Sequence, residues 1–139
     1  METLNSPITD FIPQRPPMVM IDKLMSAESD SAVSSFLIKT DNIFVEDGKF
    51  TEPGLVENIA QTAAAMVGHH CAQQQIPVPI GFIAAVKDLK INFTPPLGST
   101  ISTKVKVTNT VMDVTIVEGV VQLEEEVICS CEMKILIKR

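Results

Sequence analysis

Two short stretches near the start of the chain have the hydrophobic pattern of β-strands. The first is an apolar run over residues 18–21, which follows a proline-rich loop at residues 13–17. The second covers residues 34–40, where apolar and polar side chains alternate before a polar break at residues 41–42. Alternation gives a strand one buried and one solvated face, so we predict two strands here.

The pattern changes to that of a helix between position 55 and about position 74. Thr51 precedes this stretch and is a candidate N-cap. Small and apolar residues also cover most of the remaining circumference, which predicts a largely buried helix. The stripe that recurs at every fourth position consists of Leu55, Ile59, Ala63 and Val67.

The rest of the chain predicts about four more strands. The clearest alternation lies in residues 101–107 and 127–137, where apolar side chains face polar or charged ones. Further β-rich runs cover residues 80–86, continuing through 91–93 to a turn at 95–98, and residues 114–123. Two strands, one long helix and about four strands predict an α+β fold in which a curled antiparallel sheet wraps around a central helix.

Length, composition and charge limit the domain number, the ligand classes and the location expected for the protein. A chain of 139 residues is expected to form a single domain over residues 1–139. Its net charge of −6 argues against nucleic-acid binding, which depends on Lys and Arg neutralising phosphates. The sequence has no apolar run long enough to span a membrane and no signal-peptide pattern at its start, so we expect no membrane association and a cytoplasmic location. Three cysteines without a disulfide-like spacing fit that reducing compartment.

Three segments resemble a known family in the same order along the chain. Residues 12–23 (IPQRPPMVMIDK) are similar to an opening of the form L-P-H-R-x-P, an apolar run and D-R/K. Residues 53–61 (PGLVENIAQ) resemble the start of the family's central helix, and residues 93–98 (FTPPLG) fall where it has a turn containing P-G-D. The family is that of the 3-hydroxyacyl-acyl-carrier-protein dehydratases (FabA/FabZ-like), which have the hot-dog fold.

The resemblance implies a ligand and a reaction, and it also shows two departures. It implies binding of acyl thioesters of acyl carrier protein or coenzyme A, without a cofactor, in fatty-acid or polyketide-type lipid biosynthesis. Family members pair a helix Glu with a His of a G-H-F-P-G motif for dehydration. Here Lys49 stands in place of that His, and Gln14 replaces the His of the opening motif. We therefore expect a dehydratase-like lyase with altered or lost catalysis.

Glu57 is the first candidate catalytic residue. Gln61 follows at i+4, which places both side chains on one face of the helix, and Lys49 completes the candidate catalytic set. A buried carboxylate here can serve as general acid, base or nucleophile. The alternative is a first-turn Glu that only stabilises the helix dipole.

Candidate substrate contacts include both backbone groups and side chains. Backbone N–H groups near Gly54, at the helix N-terminus, can bind a developing thioester enolate, although Gly54 can equally serve close packing. The other substrate-binding candidates, implied by the resemblance, are Phe50, Phe82, Ile83, Ala84 and Ala85. No metal site is expected, because His69, His70 and Cys71 are consecutive on a helix and diverge.

Three functions follow from these residues. The first is the altered dehydratase, and the second is a thioesterase that uses Glu57 without a paired His. The third is a noncatalytic subunit that binds the thioester and pairs with a His-bearing paralogue. In each case the resemblance implies a homodimer or a higher multiple, with a heterodimer as the variant that the third function requires.

Overall fold

One long helix packs against a large antiparallel sheet in the computed structural model, which describes residues 2–138. Two short 3-10 helices, Glu2–Asn5 and Ile8–Asp10, precede the main elements. In chain order these are β1 (Lys23–Ala27), β2 (Ser31–Leu37), β3 (Val45–Glu46), β4 (Lys49–Phe50), α1 (Glu52–Gln73), β5 (Ile80–Ile91), β6 (Thr100–Val111), β7 (Val114–Leu123) and β8 (Glu126–Lys138).

Six of the strands form the sheet in the order β1-β2-β6-β7-β8-β5, with every neighbouring pair antiparallel. The strands β1 and β5 lie at its two edges. The short strands β3 and β4 pair separately as a hairpin directly before α1. The expected α+β architecture, with one long helix on an antiparallel sheet, is confirmed.

Alternating side chains place the core between the sheet and α1. Ile101 and Val105 of β6 and Met133 of β8 are fully buried on the same face, whereas their neighbours Lys104 and Lys106 are exposed. Twelve of the 22 residues of α1 are buried, including Leu55 and Ile59. This packing confirms the prediction that the helix is largely buried.

Gly119 of β7 lets the helix approach the sheet closely. A Cβ atom at this position would collide with the Cγ2 atom of Ile59, which lies on the inward face of α1. Only a residue without a side chain fits between that part of α1 and β7.

The predicted strand over residues 18–21 is wrong, and so are the bounds of the second strand. Residues 18–21 have no strand structure, although Met20 and Ile21 are buried, and the first strand begins at Lys23. The second strand covers 31–37 rather than 34–40. Side chains of α1 bond the backbone of residues 18–20 in place of a neighbouring strand.

Other boundaries also differ from the sequence pattern. The helix begins at Glu52, and Thr51 occupies the N-cap position, but its hydroxyl donates to the carbonyl of Phe44 instead of capping the helix. Strand β5 continues from 80 to 91 with two register shifts, where the sequence indicated separate runs. The β3–β4 hairpin was not predicted, because its strands are only two residues long. Within residues 2–138, no helix has both the length and the apolar character needed to cross a membrane.

Candidate functional site

A cleft of about 230 Å³ lies between α1 and the end of the sheet formed by β5, β7 and β8. Most of its wall is aliphatic, and its polar side chains are those of Gln14, Glu57 and Thr115. A mostly apolar cleft with a few polar groups is the usual form of a small-molecule site. Its aliphatic lining consists of Ala60, Ala63, Ala64, Met66, Val67, Pro79, Ile83, Val117, Ile135 and Ile137, with Gly81 and Phe82 completing the wall.

Glu57 is the carboxylate of this cleft, and Gln61 holds it. The Nε2 atom of Gln61 donates a hydrogen bond to Oε2 of Glu57 at 2.8 Å, as the i, i+4 spacing predicts. Glu57 itself is half-buried, whereas Gln61 is fully buried. Gln61 therefore positions Glu57 from behind and does not line the cleft.

Gln61 also ties the loop before β1 to the helix. Its Oε1 accepts the backbone N–H of Met20 at 2.6 Å, and its Nε2 donates to the carbonyl of Met18 at 2.7 Å. Asn58, one residue after Glu57, donates to the carbonyl of Met20 at 2.7 Å and accepts from the hydroxyl of Thr103. This buried network fixes the part of α1 that carries Glu57, because its polar groups have protein partners.

Gly54, Phe50 and Lys49 lie outside the cleft. A Cβ atom on Gly54 would come within 2.6 Å of the Phe50 ring. Gly54 therefore allows close packing, which is one of the two roles expected for it. Phe50 is fully buried and thus packs the β3–β4 hairpin onto the first turn of α1. Lys49 is exposed on the same hairpin and has a bridge partner in Pro96. A role of these three residues in catalysis or substrate binding stays a prediction.

Strand β5 contributes part of the expected substrate-binding set. Phe82 and Ile83 line the cleft and are also exposed at its rim, at 52% and 41%. Ala84 and Ala85 lie further along β5 and do not line the cleft. The structure thus brings Glu57, Phe82 and Ile83 to one cleft and leaves the other candidates outside it.

Gln14 and Thr115 are cleft residues that the sequence did not identify as such. In the sequence, Gln14 is only a departure from the opening motif of the related family. Its place in the cleft depends on the course of the loop at residues 12–17. Thr115 and Val117 line the cleft from alternate positions of β7, and the sequence pattern alone does not tell which positions of a strand border a cleft.

Both histidines lie far from Glu57. His69 follows Glu57 by twelve residues, which is about 18 Å along a helix. Its ring packs edge-on against Phe11 at a centroid distance of 5.5 Å, and burial lowers the pKa of His69. His70 is exposed, and its Nε2 is hydrogen-bonded to Gln74. Neither histidine lines the cleft.

The cysteines lie in the core. Cys129 and Cys131 of β8 are buried, and burial raises the pKa of Cys129 to about 12 and that of Cys131 to about 11. Thiols with such pKa values are neutral and unreactive at pH 7. Across the described part of the chain, no three His, Cys, Asp or Glu side chains are grouped closely enough to hold a metal ion.

The sequence features of this chain match a defined dehydratase family. The family described as ApeP-like, "ApeP dehydratase", matches residues 6–138. The chain belongs to the ApeP-like dehydratase family. A search of curated protein sequences with this chain finds no match.

Solved structures similar to this ApeP-like chain share its fold at low sequence identity. The dehydratase heterocomplex ApeI:P from Xenorhabdus doucetiae contains a chain with 14% identity and a TM-score of 0.90, with 96% of this chain and 92% of that chain covered. A hypothetical thioesterase with coenzyme A from Streptococcus pneumoniae TIGR4 has 9% identity and a TM-score of 0.66, with 83% and 84% covered. The E. coli PaaI protein from the phenylacetic acid degradation operon has 10% identity and a TM-score of 0.63, with 81% and 80% covered. The expected hot-dog fold is confirmed.

Proposed function

We propose that this ApeP-like protein binds acyl thioesters in the cleft beside α1 and belongs to the dehydration step of a fatty-acid or polyketide-type pathway in the cytoplasm. Its ligand is a 3-hydroxyacyl thioester of acyl carrier protein or coenzyme A. The observation that carries the proposal is Glu57, a half-buried carboxylate in a mostly apolar cleft, held by Gln61. Membership of a dehydratase family supports the choice of substrate class.

Dehydration of such a thioester needs two proton transfers. One group removes a proton from C2, a double bond forms between C2 and C3, and a second group protonates the hydroxyl that leaves C3 as water. Glu57 is suited to one of these transfers. The cleft residues include no histidine, and Lys49 is exposed outside the cleft. We infer that one chain alone carries an incomplete acid–base pair.

The exposed edge of β5 supports assembly with a second chain. β5 is twelve residues long and pairs only with β8 in the described sheet. An unpaired edge of this length with exposed apolar side chains is a template for strand pairing. We propose an obligate dimer or a multiple of it, formed along β5, in which a His-bearing homologue supplies the missing imidazole. The exposed apolar side chains of β5 are Ile80, Phe82, Ile83, Val86 and Leu89.

The test compares the chain alone with its complex. Hydration of trans-2-octenoyl-coenzyme A is followed by loss of enoyl absorbance, first with this chain alone and then after co-expression with a His-bearing homologue from the same genome. We expect the complex to exceed the isolated chain by about 10² to 10⁴ in rate, the usual contribution of a general acid–base partner. Full activity of the isolated chain, or a stable monomer in sedimentation at micromolar concentration, would contradict the proposal.

A thioesterase is the second candidate, because it needs only one carboxylate. In that reaction Glu57 takes a proton from a water molecule as its oxygen attacks the thioester carbonyl, the C–S bond breaks, and the leaving thiolate receives the proton and departs as the free thiol. Release of free coenzyme A from octanoyl-coenzyme A, measured with a thiol reagent, distinguishes the two functions. The dehydratase proposal predicts no thiol release by the wild type above that of Glu57→Gln.

A further inference from the structure

The wall that α1 contributes to the cleft changes from polar to aliphatic along the helix. Glu57 is the first residue of α1 that lines the cleft, and the only one of them with a polar side chain. Ala60, Ala64 and Val67 follow at spacings of three and four residues, which places them with the carboxylate on one side of the helix. All four are half-buried and keep accessible surface. The carboxylate therefore lies at one end of an aliphatic surface that a ligand in the cleft can touch.

The sheet forms a second aliphatic wall of the same cleft. Ile83, Ile135 and Thr115 are neighbours across β5, β8 and β7 in one row of the sheet. Gly81 and Ile137 pair in the next row on the same face. Apart from the hydroxyl of Thr115, the side chains of both rows are apolar. A ligand between the two walls thus meets hydrocarbon on both sides, which suits an alkyl chain.

The dimensions of the cleft limit the length of such a chain. From Glu57 to Val67 the helix rises by about 15 Å, which is the length of about twelve carbons at about 1.25 Å per carbon. A cavity of about 150 Å³ holds one benzene molecule, so a cleft of about 230 Å³ has room for roughly nine carbons. The volume is the tighter of the two limits. With C3 beside Glu57, roughly nine further carbons end at about C12.

We propose that an acyl chain of up to about twelve carbons lies along α1, with C3 at Glu57 and its methyl end toward Val67, and that Ala60 and Ala64 determine the accepted length. This inference rests on the proposed function, because it requires that an acyl thioester occupies the cleft. It deepens that function by naming the length class of the acyl chain and the direction in which the chain runs.

Ala60 and Ala64 lie at different distances from the carboxylate. Along the helix axis, Glu57 is separated from Ala60 by about 4.5 Å and from Ala64 by about 10.5 Å. Side chains of a helix all lean toward its N-terminus, so larger side chains keep this spacing. An extended chain anchored at C3 reaches position 60 at about C7 and position 64 at about C11. The variants Ala60→Leu and Ala64→Leu should therefore exclude acyl chains of different lengths.

The test measures the affinities of butanoyl-, octanoyl- and dodecanoyl-coenzyme A by calorimetry. The full chain is used as wild type, Ala60→Leu, Ala64→Leu and the control Ala72→Leu. The control makes the same change at a half-buried position of α1 that does not line the cleft. Because the three ligands share the coenzyme A part, it cancels in the ratios of their affinities. Free thiol is assayed in parallel so that any hydrolysis is counted.

We expect Ala60→Leu to bind octanoyl- and dodecanoyl-coenzyme A about tenfold more weakly than the wild type and to keep its affinity for butanoyl-coenzyme A. Ala64→Leu should lose about tenfold for dodecanoyl-coenzyme A alone. Each buried methylene group improves an affinity by up to about fourfold, so displacing two of them is enough for this effect. Ala72→Leu should match the wild type for all three ligands.

Other results would overturn the inference without touching the function on which it rests. An equal loss for all three ligands, the same length limit in both cleft variants, or the reverse order of the two limits would contradict the assigned direction. A wild type that binds the three ligands equally overturns the length class and leaves acyl-thioester binding intact. A wild type that binds none of them overturns the proposed function itself.

A second measurement needs no variant and stays decisive if a leucine variant does not fold. Dodecanoyl-coenzyme A with a diazirine at C12 is photolysed with the wild type, and the labelled residues are identified by mass spectrometry. We expect label within residues 64–67 of α1. Label that is absent from these four positions would overturn the proposed direction of the chain.

Discussion

Gln61 donates one hydrogen bond to the carboxylate of Glu57, at 2.8 Å, and two further contacts join it to the backbone of Met18 and Met20. One buried amide thus links the candidate catalytic carboxylate to the loop before β1, whose Gln14 lines the cleft. Changes at the two residues should consequently have different effects on stability and activity.

The variant Glu57→Gln should abolish turnover in the assembled protein and leave Tm nearly unchanged. Glutamine keeps an oxygen that accepts from Gln61, so the packing survives, but it cannot exchange a proton at neutral pH. Enoyl hydration and thermal unfolding measure the two effects. Glu52→Gln, at the exposed first residue of the same helix, serves as the control and should keep full activity. A Glu57→Gln variant that loses several degrees of Tm and keeps its activity would make Glu57 purely structural.

The variant Gln61→Leu should destabilise the fold by roughly 1–3 kcal/mol, because it leaves the buried N–H of Met20 without an acceptor and removes the donor to the partly buried carbonyl of Met18. Denaturant unfolding measures the loss. Gln73→Leu, at the exposed end of α1, is the matched control and should change stability by less than about 0.5 kcal/mol. Equal stability of the two variants would mean that the contacts of Gln61 are replaced by water.

The variant Gly119→Ala should cost about 1–3 kcal/mol, because the added methyl group collides with Ile59 and pushes α1 away from the sheet. Chemical denaturation again gives the value. At Gly81 of β5 the nearest atom to an added Cβ is 3.4 Å away, so Gly81→Ala should be close to neutral. A Gly119→Ala protein as stable as the wild type would show that the helix shifts at little cost.

Stability should fall as the pH drops below 6.5, in part because of His69. Burial lowers the pKa of His69 in the folded protein from its ordinary value of 6.5, so the unfolded state binds the proton first. The contribution of neutral His69 to the free energy of unfolding is fully present above pH 6.5, and it is lost as the pH falls through the pKa of His69 in the folded protein. His69→Gln should flatten the dependence of the unfolding free energy on pH between 7.5 and about 5. The exposed His70→Gln is the control, and an equal slope in both variants would contradict the assignment.

Local patterns predicted most of the sheet and the helix. Alternation along β6 and β8 is strong because one face packs on α1 and the other meets solvent. Strand β7 was predicted as a β-rich run and has the predicted bounds. The failure at residues 18–21 has a physical cause. This segment is as apolar as a strand, but its hydrogen-bond partners are Asn58 and Gln61, about forty residues away. No local pattern carries that information.

The site was predictable where it lies on one regular element. The spacing of Glu57 and Gln61 on a helix gave their contact directly. Gln14 could not be placed in the cleft from sequence, because its position depends on contacts of Arg15 within an irregular loop. Lys49 was aligned with the histidine of the related family, but the hairpin leaves it exposed outside the cleft.

The composition of the β5 edge has a consequence for how the protein is produced. Residues 80–86 carry no charge, whereas Lys87, Asp88 and Lys90 occupy the second half of the strand. Charged residues on an edge oppose uncontrolled pairing, and uncharged, β-prone segments of six or seven residues promote aggregation. In the assembly proposed above, chains made in excess over their partner would therefore associate through residues 80–86 and precipitate. Balanced synthesis of the two proposed subunits would keep this segment covered from the moment of folding.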